Sequence, residues 1–138
     1  MGYRQYEISN FALPGYESRH NTLYWKCGEY LGIGPSAHSF YHGKRFFYER
    51  NINAFYDGKI IDDGTGGDEE EFIMLSLRLT SGLIFADYEA KFGKPLSPAV
   101  MKKIQQYVKL GLMETDGQSA HFTPRGFLVS NSIISELI

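Results

Sequence analysis

A single cysteine, Cys27, is all that the 138 residues contain. An internal disulfide is thereby excluded, and so is a metal or iron–sulfur site built from this chain's cysteines alone. A surplus of charge is missing too: 14 basic residues stand against 16 acidic ones, for a net charge of −2 and a pI near 6.1. That balance gives no electrostatic case for a nucleic acid or an anionic membrane as partner. No apolar run approaches the roughly 18 residues needed to cross a bilayer, so no transmembrane segment is expected. The opening Met-Gly-Tyr-Arg-Gln-Tyr-Glu lacks the apolar stretch of a signal peptide. The expectation is a soluble, cytoplasmic protein. What the chain has in plenty is aromatic: ten Tyr and ten Phe bring the aromatic share to 15%, and such side chains fill cores or line ligand sites.

The chain divides at Asp62–Glu71, "DDGTGGDEEE". Residues 1–63 form the first unit, the glycine-rich 64–67 read as a flexible joint, and 68–138 form the second. In the first unit "YRQYEISNF" (3–11) reads as a strand, "LPGY" (13–16) as a turn, and "SRHNTLYWKCGEY" as a short helix stopping at Gly28. "YLGIG" reads as a short buried strand, "KRFFYER" as another, and "NINAFYDGK" as a helix closed by Gly58. Long loops and few partners suggest part of a larger sheet, unable to cover its own edges.

The second unit is more regular. Asp68 caps a helix beginning with three glutamates and running to Gly82, and "IFADYEAKFG" is a helix stopped by Gly93. Ser97-Pro98 opens a third, with Val100, Ile104, Tyr107 and Val108 on one face. Two short strands, 112–115 and 120–123, flank an Asp116-Gly117 turn, and Thr123-Pro124 starts a closing helix. Three helices, a hairpin and a helix make a winged helix-turn-helix arrangement. As a free-standing DNA reader it is poorly equipped: the third helix offers Lys102, Lys109 and two glutamines outward but no arginine. The wing carries Glu114 and Asp116, which repel phosphate.

Residues 17–40 hold the densest chemistry. Gly-Ile-Gly-Pro lacks the spacing of a phosphate loop and reads equally as a tight turn or as the edge of a ligand site at a strand end. His20 precedes Leu23, Tyr24 and Trp25; neutral imidazole is a good iron ligand and aromatic walls suit a flat cofactor. A single histidine beside aromatics is nevertheless most often structural, and the nearby sequence offers no second ligand. Cys27 reads as a small buried residue, His42 and His121 as loop and wing surface.

The strings "YEISNFALPGYESRHNTLYW" and "YLGIGPSAHSF" closely resemble the oxygen-independent coproporphyrinogen III oxidase-like radical-SAM family, in its haem-chaperone branch rather than the true oxidase. The C-terminal "GLMETDGQSAHFTPRGFLVSNSIISEL" is similar to that family's winged-helix domain. The resemblance implies an α+β chain: the C-terminal edge of a partial (β/α) radical-SAM barrel followed by a winged helix. It implies haem binding by His20, as iron ligand, with Asn21, Tyr24 and Trp25 in the remaining fixed positions of His-Asn-x-x-Tyr-Trp. Gly34, Ala37 and His38 match the segment bordering S-adenosylmethionine, although the oxidase branch has an apolar residue where this chain has His38. The family's Cys-x-x-x-Cys-x-x-Cys motif is absent, so a [4Fe–4S] cluster and S-adenosylmethionine are expected only in a full-length parent, and no radical catalysis from this chain alone. The expected partners are the parent's N-terminal barrel and a haem-accepting protein of unknown identity. A fragment of a true oxidase of porphyrin biosynthesis is the alternative.

Overall fold

The computed structural model describes residues 1–138, an α+β chain of seven helices and three small antiparallel sheets. The strand expected over 3–11 is instead a tight hairpin, in which β1 (Arg4–Gln5) pairs with β2 (Phe11–Ala12). Its reversal follows from Glu7, whose fully buried carboxylate accepts hydrogen bonds from the Ser9 amide and the Asn10 side chain. The turn's own backbone is spent on the second half of the chain. Ile8 N–H donates to the Arg78 carbonyl at 2.8 Å and Thr80 N–H to the Tyr6 carbonyl at 3.1 Å, around an antiparallel bridge between Glu7 and Leu79.

Helix α1 (Arg19–Trp25) starts where Ser18 accepts from the Asn21 amide at 3.2 Å. It ends at Trp25, ahead of the Gly28 expected to stop it, and the Leu23 side chain lies over Gly28, where a Cβ would displace it. The expected "YLGIG" strand is a single bridge from Tyr30 to Phe40, and Leu31 and Ile33 are 60% and 89% exposed. A strand overlooked in the sequence, β3 (His38–Tyr41), pairs with β4 (Lys44–Tyr48) through His42-Gly43. Both turn residues have positive φ, 50° and 73°, as a two-residue hairpin matched to strand twist requires. After α2 (Ile52–Tyr56), capped by Asn51, the strand β5 (Ile60–Thr65) completes the order β3-β4-β5. The expected joint at 64–67 is therefore not a free linker. Gly64 and Thr65 lie within β5, Gly66 N–H donates to the Gly43 carbonyl at 3.0 Å, and Gly67 N–H donates to the Glu71 carboxylate at 2.6 Å.

Helix α3 (Glu69–Ser76) begins at Asp68, whose carboxylate accepts from the Glu71 amide at 2.8 Å. It stops well short of Gly82 because the backbone of 78–80 is drawn into the pairing with Tyr6–Ile8. The rest alternates β6 (Leu83–Ile84), α4 (Phe85–Phe92), α5 (Pro98–Lys109), β7 (Met113–Thr115) and β8 (Ser119–Phe122), the three strands ordered β6-β8-β7. Gly93 closes α4 in the left-handed conformation at φ 70°, and Ser97 caps α5. The expected closing helix is two, α6 (Pro124–Leu128) and α7 (Ser130–Leu137), broken at Val129 where φ falls to −120°. Leu77, Leu83, Ile104, Met113 and Ala120 are the innermost residues, and the same core takes in Cys27 and Phe40 from the first half. On α5, Ile104 is buried and Val100, Tyr107 and Val108 pack partly against the core, as their spacing requires.

Candidate functional site

His20 and Tyr24 lie one turn apart on α1 and share a face, as residues four apart do. Both meet Tyr30: the His20 and Tyr24 ring centroids are each 5.9 Å from it, edge to face. The imidazole of His20 is exposed, while Tyr24 and Tyr30 are half-buried. Trp25 meets Tyr24 edge-on at 5.0 Å, and both pack partly against the core. Asn21 is half-buried, with its amide donating to the Ser18 hydroxyl. Of the four residues singled out in His-Asn-x-x-Tyr-Trp, the fold brings His20 and Tyr24 together through Tyr30 and sets Trp25 against Tyr24. Tyr30 was overlooked because its partner in the fold is Phe40, ten residues away.

The turn at 34–37 forms a second group. Gly34 adopts φ 117° and accepts from the Ala37 amide at 3.1 Å, while the Ala37 carbonyl and the Ser36 amide both bond to Tyr48. Ala37 is half-buried and His38 exposed. The His38 ring stacks on Phe47 at 4.9 Å and 25°, and its Nδ1 lies 3.9 Å from the Asp63 carboxylate. His38 thus takes its neighbours from β4 and β5. His42 is exposed as expected; His121, in β8, is half-buried with Nε2 3.3 Å from the Glu114 carboxylate.

Beneath Tyr30 sits a polar node. Arg45 lies over the Phe40 ring at 4.8 Å and forms an ion pair with Glu71. Burial by itself would lower the guanidinium's pKa, but the Glu71 carboxylate, with Tyr30 and Tyr24 beside it, outweighs burial and raises it. Cys27 nearby is buried, and burial pushes its thiol up against the opposing pull of Lys91 and Arg45. A thiol held protonated is a poor ligand or nucleophile. No group of three or more His, Cys, Asp or Glu side chains gathers to hold a metal ion. The site therefore presents one exposed imidazole on an aromatic support.

Residues 69–129 match the HemN C-terminal domain family. Along 99% of its length the chain is similar to the heme chaperone HemW of Lactococcus lactis subsp. lactis, at 32% identity, and to that of Bacillus subtilis, at 29%. It spans 38% of the length of each of these relatives. Over 70 residues it is 44% identical to the mouse radical S-adenosyl methionine domain-containing protein 1, mitochondrial, covering 51% of this chain and 12% of that one. Among solved structures, it shares its fold with coproporphyrinogen III oxidase (HemN) from Escherichia coli, described as a radical SAM enzyme. The TM-score is 0.66 at 17% identity, over 99% of this chain and 37% of that one.

Proposed function

Because the chain carries the HemN C-terminal domain and is similar almost end to end to HemW heme chaperones, we propose that it is the C-terminal part of a radical-SAM haem chaperone. In that reading it contributes haem-binding side chains and a cover over the ligand site of an N-terminal barrel. The observation that carries the proposal is the pairing of His20 and Tyr24 against Tyr30, with the imidazole left open to solvent. A neutral imidazole donates its free lone pair to iron, and edge-on aromatics support a flat ring without competing for the metal. Haem would supply an iron that accepts an imidazole nitrogen; His20 would hold it, with Tyr24 and Tyr30 orienting the imidazole and Asn21 and Trp25 completing the wall. Gly34, Ala37 and His38 border S-adenosylmethionine in the parent, which also supplies the [4Fe–4S] cluster from its own cysteines. This chain alone, with one buried thiol, performs no radical chemistry.

In this reading β3-β4-β5 is the last edge of the barrel, and α3–α5 with the β7–β8 hairpin are a winged helix that packs rather than reads DNA. The protein works in the cytoplasm and hands haem to an acceptor. Hemin titration of the chain, followed at the Soret band, tests the assignment. A shifted band in the wild type that disappears in His20→Ala and persists in His121→Ala is expected; an unchanged band in His20→Ala would falsify it. Turnover of coproporphyrinogen III by the full-length protein would favour the oxidase alternative.

A further inference from the structure

Helix α1 has a second face. Arg19, Thr22 and Leu23 of the helix and Lys26 at its C-cap follow one another at helical spacing, and together with Gly15 and Glu17 they line a cleft of about 380 Å³. Lys26 also lines the two neighbouring clefts, of about 310 and 240 Å³, so all three meet at its side chain. Neither Arg19 nor Lys26 takes part in an ion pair. Seven residues apart, they stand about 10 Å from each other along the helix axis, on the same side. Against them the largest of the three clefts sets one carboxylate, Glu17, and Asp87 joins Lys26 in lining the cleft of about 240 Å³. Arg19 is also the immediate neighbour of His20, whose face lies about 100° around the helix.

We propose that Arg19 and Lys26 bind the carboxylates of the porphyrin, so that one short helix holds the iron on one face and the acid side chains on the next. The inference rests on His20 as the iron ligand. A porphyrin lying over an imidazole extends past the width of a single helix face, and its propionates leave from one edge of the ring. Guanidinium suits a carboxylate in two-point contact, and the lysine ammonium serves as a flexible second anchor. Glu17 disfavours a further acid group, which limits the site to ligands with few carboxylates on that edge.

The test compares hemin with hemin dimethyl ester, in which the carboxylates are masked and the iron is unchanged. Wild-type chain, Arg19→Ala, Lys26→Ala, Arg19→Lys and the distant control Lys102→Ala are titrated at the Soret band at low and at moderate salt. Each alanine variant is expected to raise the hemin Kd by about tenfold and to leave the ester Kd within about twofold. Arg19→Lys recovers part of the loss, and the wild-type preference for hemin shrinks with salt. Equal wild-type affinity for acid and ester overturns the proposal, as does a loss in the alanine variants that is the same for both ligands. A chain that shifts the Soret band of neither ligand overturns the haem assignment itself, a distinct failure.

Discussion

Arg45 on β4 grips Glu71 in the first turn of α3, and the same carboxylate takes the Gly67 amide with its other oxygen. The pair fastens the sheet of the first half to the helices of the second at the very place where the glycines suggest looseness. It also sets the floor under Tyr30, since the guanidinium lies against Phe40, the backbone partner of Tyr30.

Arg45→Ala leaves the half-buried Glu71 charge with only a backbone donor. The expected loss is about 2 kcal/mol, between the values typical of exposed and of buried pairs. Urea unfolding measures it, and a double-mutant cycle with Glu71→Gln should show that the two losses do not add.

Tyr88 donates its hydroxyl proton to Glu69, and burial, followed by that hydrogen bond, pushes the hydroxyl up to about 12 from its ordinary value near 10. The folded chain keeps this proton after the unfolded chain has released it. The contact therefore stabilises fully below about pH 10 and its contribution drains away as pH climbs toward 12. Tyr88→Phe should cost about 1 kcal/mol at pH 8 and flatten the alkaline fall in stability. Denaturation curves from pH 8 to 11.5 decide it, and parallel limbs for the two proteins would count against the contact.

Gly82 stands at φ 70° with its α-carbon against the Ala120 carbonyl, where a side chain would overlap the backbone of β8. Gly82→Ala combines a disfavoured dihedral with a clash that no rotamer relieves, and should lose more than about 2 kcal/mol. A thermal melt beside Gly117→Ala, which also has positive φ but open space around it, separates the clash from the dihedral.

Amides of Ile8 and Thr80 should exchange as slowly as those within 72–79, because they bond across the seam and belong to the same cooperative unit. Hydrogen exchange followed by mass spectrometry or NMR checks this; fast exchange at Ile8 with slow exchange at Leu75 would mean that the first half opens alone.

What the sequence made legible was local. The helix starts at Asp68, Ser97 and Thr123 act within three residues of themselves, and each bonds as its side chain directs. Ile104 falls on the buried face of α5 because a helical period repeats without outside help. Lost were features set by distant partners. Nothing near Tyr30 names Phe40, and nothing near Arg45 names Glu71. β3 was hidden because His42-Gly43 looks like loop, while its left-handed turn is what closes the hairpin. α3 looked longer than it is because the competing partner of its last residues, Tyr6–Ile8, lies some seventy residues earlier. In the site, the shared face of His20 and Tyr24 follows from their spacing, whereas the aromatic ring that receives them does not.

Labelled duplex DNA titrated at low salt, where phosphate contacts are strongest, should show no submicromolar binding. The outward face of α5 presents Lys102 and Lys109 without arginine, and Glu114 and Asp116 border the β7–β8 turn. Tight, salt-sensitive binding would assign the second half a role that its charges do not suggest.

The seam at Glu7 and Leu79 bears on inheritance. The stretch that matches the HemN C-terminal domain begins at residue 69, yet its Thr80 amide and Arg78 carbonyl find their backbone partners in Tyr6 and Ile8. A gene rearrangement that cut at the start of the unit would deliver it with open backbone groups and a gap in the core where Cys27 and Phe40 belong. Residues 69–129 are therefore not self-contained in this chain: their edge and part of their core are finished by residues that precede them.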